Sequence, residues 1–130
     1  MESLTYNTQY KTQLIQITDA VAEAVIRSGV RDGMVQLFTP HSTCGLFIYE
    51  SEDPRLERDL LQTLHDLVPG GKNYGHVGGN AEAHIKASIM GCSVTVPVKE
   101  AKMLLGPWQG IFLGEFDGPR ERTVHITVLK

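Results

Sequence analysis

The stretch Gly110-Ile-Phe-Leu-Gly-Glu-Phe-Asp-Gly-Pro-Arg-Glu-Arg-Thr-Val-His-Ile-Thr-Val-Leu129 decides the fold class. It contains a mainly apolar run, Gly110 to Phe116, and an alternating run, Arg122 to Leu129, each typical of a β-strand. The segment Asp117-Gly118-Pro119 between them is a turn signal. Strands that follow one another directly leave no room for crossover helices, so they favour a largely antiparallel sheet.

The first 50 residues continue the same pattern around one helix. Leu4 to Thr8 and Gln13 to Ile17 are short alternating runs that look like a strand pair. Thr18 or Asp19 can cap a helix that runs to Ser28, with Gly29 as its stop. Further strands are predicted for Gly33 to Thr39, Gly45 to Glu50 and, later in the chain, Cys92 to Val98.

Two more helices are predicted between these strands. Asp53-Pro54 is a strong start for the second helix, an N-cap followed by proline, and Pro69-Gly70-Gly71 ends it. Asn80 can cap a third helix from Ala81 to Met90, on which Ile85 and Ile89 form a stripe towards the core. About seven strands and three helices predict an α+β fold, with residues 1–130 as a single domain.

Composition narrows the function classes. The 130 residues are 42% apolar and 21% charged, with a net charge of -3 that argues against general nucleic-acid binding. No apolar run reaches the ~18 residues that a membrane span needs. The start of the chain, Met1 to Tyr6, lacks the features of a signal peptide. We therefore expect a cytoplasmic protein without a membrane partner, in which Cys44 and Cys92 are free thiols.

The segment His76-Val-Gly-Gly-Asn80-Ala-Glu-Ala-His84-Ile-Lys86 has the composition of a site rather than of a core. Histidine binds metals and moves protons near neutral pH. If Asn80 begins a helix, His84 lies one turn further along nearly the same face, and Gly78-Gly79 let the chain fold His76 back towards it. The spacing alone leaves open a metal site or two unrelated surface histidines.

Two other segments can complete a site. Thr39-Pro40-His41-Ser42-Thr43-Cys44-Gly45 places an imidazole and hydroxyls where the chain turns between two strands, although an ordinary polar loop has the same composition. In the segment Trp108 to Arg122, Glu115 and Asp117 lie on the apolar side of a strand, which is costly unless they are paired. Arg120 and Arg122 are the expected partners, either in a structural salt bridge or in a phosphate-binding cluster.

These segments together resemble a known family, YjbQ/UPF0047, over essentially the whole chain. The resemblance implies a small α+β protein that forms homotrimers, and a secondary thiamine-phosphate synthase activity. It also implies a histidine-lined metal site that maps onto His41, His76 and His84. The matching motifs are Pro40–Gly45, Glu50 with Asp53-Pro54, Asn80–Lys86, Gly91–Pro97, Gly106–Gln109 and Glu115–Arg122.

The chain departs from the family pattern without losing a proposed metal ligand. Cys44-Gly45 replaces a small pair, and Tyr49-Glu50 replaces an Asn-Glu pair. Pro107 stands where threonine is usual in the motif before Gln109, and Gly79 replaces an acidic residue. These changes affect the expected substrate contacts rather than the histidines.

The residues and the resemblance lead to one main hypothesis. Three imidazoles suit Zn²⁺, with Mg²⁺ as the alternative cofactor. The enzyme would join a pyrimidine methyl diphosphate to a thiazole phosphate, with His41, Glu50 and Glu115 as catalytic residues. Two alternatives stay open: a metal-dependent hydrolase, and a non-catalytic module that binds a phosphorylated metabolite. The expected substrate-binding and phosphate-binding residues are Ser42, Thr43, Asn80, Lys86, Trp108, Gln109, Arg120 and Arg122.

Overall fold

The computed structural model describes all 130 residues, which form eight strands and three helices. None of the three helices combines the length and the apolar character needed to cross a bilayer. In chain order the elements are β1 (Glu2–Asn7), β2 (Gln13–Gln16), α1 (Thr18–Ser28), β3 (Gly33–Phe38), β4 (Cys44–Glu50), α2 (Pro54–Leu67), α3 (Ala81–Met90), β5 (Ser93–Lys99), β6 (Lys102–Met103), β7 (Gln109–Glu115) and β8 (Glu121–Leu129).

The strands form two antiparallel sheets. The larger sheet has the strand order β1-β8-β3-β5-β6, and the smaller one has the order β2-β7-β4. The main core lies where the larger sheet, the smaller sheet and α1 meet, and it includes Leu37, Leu46, Ile111, Val25 and Val124. The structure therefore confirms the predicted single-domain α+β fold with largely antiparallel sheets.

The prediction that the first two strands pair with each other was wrong. β1 pairs with β8 in the larger sheet, whereas β2 pairs with β7 in the smaller one. The intervening residues 8–12 carry the chain from one sheet to the other, and they bring Thr8 and Lys11 close to the turn after β7. The two-residue strand β6 was not predicted, because so short a segment has no periodicity.

Helix α3 faces the core with alanines rather than with the predicted isoleucine stripe. Ala83 and Ala87 are buried, whereas Ile85 and Ile89 are 39% and 59% exposed. The reason is a close approach between α3 and β4: a Cβ atom at Gly45 would lie 2.8 Å from the carbonyl oxygen of Gly91. Only small side chains fit such a contact, so α3 turns its alanines towards the core and leaves its more hydrophobic face outside.

Candidate functional site

A buried ion pair lies where β7 ends and β8 begins. The Glu115 side chain is completely buried, and its Oε1 accepts hydrogen bonds from Arg122 Nε at 2.8 Å and from Thr8 Oγ1 at 2.7 Å. Its Oε2 accepts from Arg122 Nη2 and from the backbone N–H of Asp117. Burial alone would raise the pKa of Glu115, but these hydrogen bonds outweigh it and hold the pKa below its ordinary value.

Arg122 and Thr43 belong to the same buried cluster. Arg122 Nη2 donates to Thr43 Oγ1 at 2.7 Å, and both residues are almost inaccessible to solvent. Glu115 was predicted either to transfer protons or to hold the arginines, and its geometry fits the second role. Thr43 and Arg122 were predicted to contact substrate, but the structure commits them to contacts within the protein.

Asp117 is the central acceptor of a second polar cluster, next to the ion pair. Its Oδ1 accepts from Lys11 Nζ at 2.7 Å, and its Oδ2 accepts from Arg120 Nη2 at 2.9 Å and from Asn80 Nδ2 at 2.8 Å. Burial alone would raise the pKa of Asp117, but the hydrogen bonds lower it to about 2. The pairing of Asp117 with an arginine was predicted, whereas its contacts with Lys11 and Asn80 were not.

The histidine segment comes together as the sequence predicts. His76 Nε2 lies 3.0 Å from Asn80 Oδ1, and the rings of His76 and His84 meet edge to face with centroids 5.3 Å apart. Asn80 occupies the N-cap position of α3 but makes no side-chain capping bond. Its amide instead connects His76 to Asp117.

His41 lies on the loop before β4 and contacts the larger sheet. Its Nε2 accepts a hydrogen bond from the backbone N–H of Thr123 at 3.1 Å. Burial lowers the pKa of His41, and the charge of Arg122 lowers it further. The ring is therefore neutral near pH 7, and since Nε2 is the acceptor, the ring proton lies on Nδ1.

Two hollows share His84 as a lining residue. One, of about 350 Å³, contains His41 and Ser42, and the other, of about 390 Å³, contains Tyr74 and His76. His84 lines both hollows, and no carboxylate lines either of them. A larger hollow of about 560 Å³ lies on the exposed surface of α2, but its lining is entirely polar and lacks histidine. Three imidazoles thus line the two hollows, beside the thiols of Cys44 and Cys92 and the phenol of Tyr74.

The chain alone does not assemble the three-histidine metal shell suggested by the resemblance. No group of three or more His, Cys, Asp or Glu side chains is clustered closely enough to hold an ion. His41 uses Nε2 to accept from Thr123, which leaves a protonated Nδ1 in the neutral ring. His76 and His84 remain as a pair of neighbouring imidazoles.

Lys86 lies away from the hollows. It is two residues beyond His84, which places it on roughly the opposite side of α3. It is 4% exposed and forms neither a hydrogen bond nor a salt bridge. Burial lowers the pKa of Lys86, and Glu82 offsets part of that effect. The predicted contact between Lys86 and substrate has no support from this position.

Glu50, Trp108 and Gln109 lie at the far end of the smaller sheet. Glu50 pairs with Gln109 at one end of the β4–β7 ladder, whereas Cys44 pairs with Glu115 at the other, about 20 Å away along the strand. Glu50 Oε2 accepts from the backbone N–H of Asp53 at the start of α2, and Trp108 is 63% exposed. Within one chain these residues do not join the histidines.

The fold and the site define a class: a small α+β protein of two antiparallel sheets that gathers histidines beside a buried Glu–Arg pair. The family profile described as "UPF0047 protein YjbQ-like" matches residues 2–130. The chain belongs to this family. A UPF0047 protein of Archaeoglobus fulgidus is 47% identical over 128 residues, covering 97% of this chain and 98% of the relative. Another, of Methanocaldococcus jannaschii, is 42% identical over 94% of this chain and 88% of the relative.

Solved structures share the fold. An uncharacterized conserved YjbQ/UPF0047 protein of Clostridium acetobutylicum is 44% identical, with a TM-score of 0.97 over 99% of this chain and all of that one. A YbjQ-like protein of unknown function from Sulfolobus solfataricus is 32% identical, with a TM-score of 0.94 over 98% of this chain and 94% of that one. The two-sheet arrangement is therefore common to these relatives.

Proposed function

We propose that the two hollows that share His84 form the active site of an enzyme that acts on small phosphorylated metabolites. The reaction to test first is the one that the family resemblance implies: joining a pyrimidine methyl diphosphate to a thiazole phosphate. The observation that carries the proposal is that His84 lines both hollows. Two adjoining hollows with a shared histidine suit a transferase, which must hold two substrates side by side.

The bond changes in this reaction define what the site must supply. The thiazole nitrogen attacks the methylene carbon of the pyrimidine, a C–N bond forms, and the C–O bond to the diphosphate breaks. Pyrophosphate leaves with the bonding electrons, so the site must stabilise growing negative charge. His41 offers an N–H at Nδ1 in one hollow, and Arg120 lies on the exposed side of the Asp117 cluster.

The proposal keeps a divalent metal, but with two histidine ligands from this chain rather than three. His76 and His84 are the two imidazoles that this chain offers, and further ligands would have to come from substrate, water or another subunit. A bound Zn²⁺ or Mg²⁺ would supply positive charge for the diphosphate.

The outer face of the larger sheet supports the proposed homotrimer. No helix covers this face. Glu121 and Lys99 lie on it at the ends of β8 and β5, and the side chains between them on β8, β3 and β5 include no Asp, Glu, Lys or Arg. They include Phe38 and Met34, which are 42% and 44% exposed, together with Thr95, Thr123 and Thr127. An open face of this composition suits contact with further copies. Light scattering of the purified protein tests the trimer; a monomer at assay concentration contradicts it. The cytoplasmic location stays a prediction.

The function is tested by measuring pyrophosphate and the coupled product with purified protein. The two substrates are supplied together and separately, each with and without a metal chelator. We expect pyrophosphate release that requires both substrates, because the thiazole nitrogen is the attacking group. Pyrophosphate release that falls when the chelator is present would support a metal at His76 and His84. Release that the chelator leaves unchanged would rule that metal out.

Other outcomes point to the two alternatives. Phosphate or pyrophosphate released from one substrate alone would indicate the metal-dependent hydrolase. Tight binding of a substrate, measured by calorimetry, without any product would indicate the non-catalytic binding module. Either result overturns the transferase proposal.

A further inference from the structure

We propose that Asp117 is a positioning residue for His76: it orients the Asn80 amide, which holds the proton of the neutral His76 ring on Nε2 and leaves Nδ1 unprotonated. This inference rests on the proposed function, in which His76 lines one of the two substrate hollows. It assigns a definite tautomer to His76. It also gives a role to Asp117 and Asn80, which lie outside the predicted catalytic set.

The direction of each hydrogen bond follows from the chemistry of Asp117. Its carboxylate accepts from Lys11 and Arg120, so it is ionised and acts only as an acceptor. The Asn80 group that meets Asp117 Oδ2 at 2.8 Å must therefore be the NH₂. The other end of that amide, the oxygen, then faces His76 Nε2 at 3.0 Å.

An amide oxygen can only accept a hydrogen bond, so His76 Nε2 must donate. The neutral ring carries a single proton, and with that proton on Nε2 the lone pair is on Nδ1. This is the arrangement in which a carboxylate, acting through a neighbour, fixes the tautomer of a histidine that binds a ligand or accepts a proton. His76 is exposed, so without this contact its ring would be free to reorient.

The loop is shaped to permit the contact. A Cβ atom at Gly78 would lie 2.5 Å from His76 Nε2 and 3.1 Å from Asn80 Oδ1. Any side chain there would push the imidazole off the amide. Gly75, in the same loop, has no heavy atom within 4 Å of a Cβ atom placed on it, and it adopts an ordinary backbone conformation. Gly78→Ala and Gly75→Ala are therefore a matched test and control.

The test is ¹H–¹⁵N NMR of the histidine rings in ¹⁵N-labelled protein near neutral pH, with His76→Gln identifying the His76 signals. In the wild type and in Gly75→Ala we expect an Nε2–H proton that is protected from exchange, and an unprotonated Nδ1. In Gly78→Ala and Asn80→Ala we expect exchange of that proton to rise about tenfold, the effect of losing one hydrogen bond. Asp117→Asn should do the same with Asn80 still present, because its neutral amide can offer Asn80 either a donor or an acceptor.

Different failures have different meanings. A proton on Nδ1 in the wild type, or an Nε2–H signal that is the same in Gly78→Ala and Asp117→Asn as in the wild type, overturns the positioning role. Should Asp117→Asn fail to fold, the wild-type tautomer still decides it, because Asp117 turns the Asn80 oxygen towards His76 only if the ring proton is on Nε2. The expected NMR pattern in a protein that makes no product would sustain the positioning role and reject the proposed function.

Discussion

Glu115 and Arg122 form a buried ion pair that ties the two sheets together. Glu115 is the last residue of β7 in the smaller sheet, and Arg122 is the second residue of β8 in the larger one. The chain passes from one sheet to the other in the five residues between β7 and β8. The ion pair connects the two strands across this loop, and it also forms hydrogen bonds with Thr8 and Thr43. The loop that carries His41 leads directly into this cluster through Thr43.

We expect loss of one partner of this pair to destabilise the fold strongly. Arg122→Met leaves the Glu115 carboxylate buried without its cation, which costs about 3–5 kcal/mol of unfolding free energy. The double variant Glu115→Gln/Arg122→Met removes both charges and should be less destabilised than Arg122→Met alone. Urea denaturation of the two variants and the wild type measures the difference.

A surface pair provides the control. Arg55 is 78% exposed beside Asp53 at the start of α2, so Arg55→Met should change the unfolding free energy by no more than about 1 kcal/mol. Equal losses in Arg122→Met and Arg55→Met would contradict the structural role given to the buried pair.

Asp117 should make the protein sensitive to acid. Its pKa is lowered from 3.8 to about 2 in the folded state, so its contribution is complete above pH 3.8 and is lost as the pH falls towards 2. A shift of this size corresponds to about 2 kcal/mol. We expect Asp117→Asn to be less stable than the wild type at pH 7, with the gap narrowing below pH 4. Denaturation curves over this range measure the gap, and a constant difference would argue against the ionised Asp117.

Lys86 should be a liability for stability. The Lys86 side chain is almost inaccessible to solvent, and burial lowers the pKa of Lys86, so its surroundings disfavour the charged form. Lys86→Met keeps the length of the side chain and removes the charge, so we expect the folded state to be stabilised by about 1 kcal/mol, with activity retained. Lys102→Met, at an exposed position on β6, should stay within about 0.5 kcal/mol of the wild type. Lost substrate binding in Lys86→Met would instead restore the predicted anion contact.

Local signals in the sequence were sufficient to predict most helices and strands, but not which strands pair with each other. The Asp53-Pro54 start of α2 and the glycine stops of α1 and α3 depend on neighbouring residues, and the structure confirms them. The pairing of β1 with β8 joins residues more than 100 positions apart, and no local pattern encodes it. The outward position of Ile85 follows from the close approach of α3 to β4, which is a property of the assembled fold.

The same distinction holds for the site. His76, Asn80 and His84 lie within nine residues, so a helix with a flexible glycine loop before it was enough to predict that they meet. Trp108 and Glu50 were grouped with them by motif, and separating them requires knowing which end of β4 and β7 each one occupies. Arg120 lies three residues from Asp117 and was predicted among its partners, whereas Lys11 and Asn80 come from distant segments and were not.

The rate of pyrophosphate release by His84→Ala, compared with His65→Ala, tests the central claim most directly. His65 is an exposed histidine on α2, outside the two hollows, so its variant controls for the loss of an imidazole. Circular dichroism confirms that both variants are folded before the assay. We predict a loss of about 100-fold or more for His84→Ala, as for removal of a group that stabilises the charge growing on the departing pyrophosphate, and an unchanged rate for His65→Ala. Equal rates in the two variants would contradict an active site built around His84.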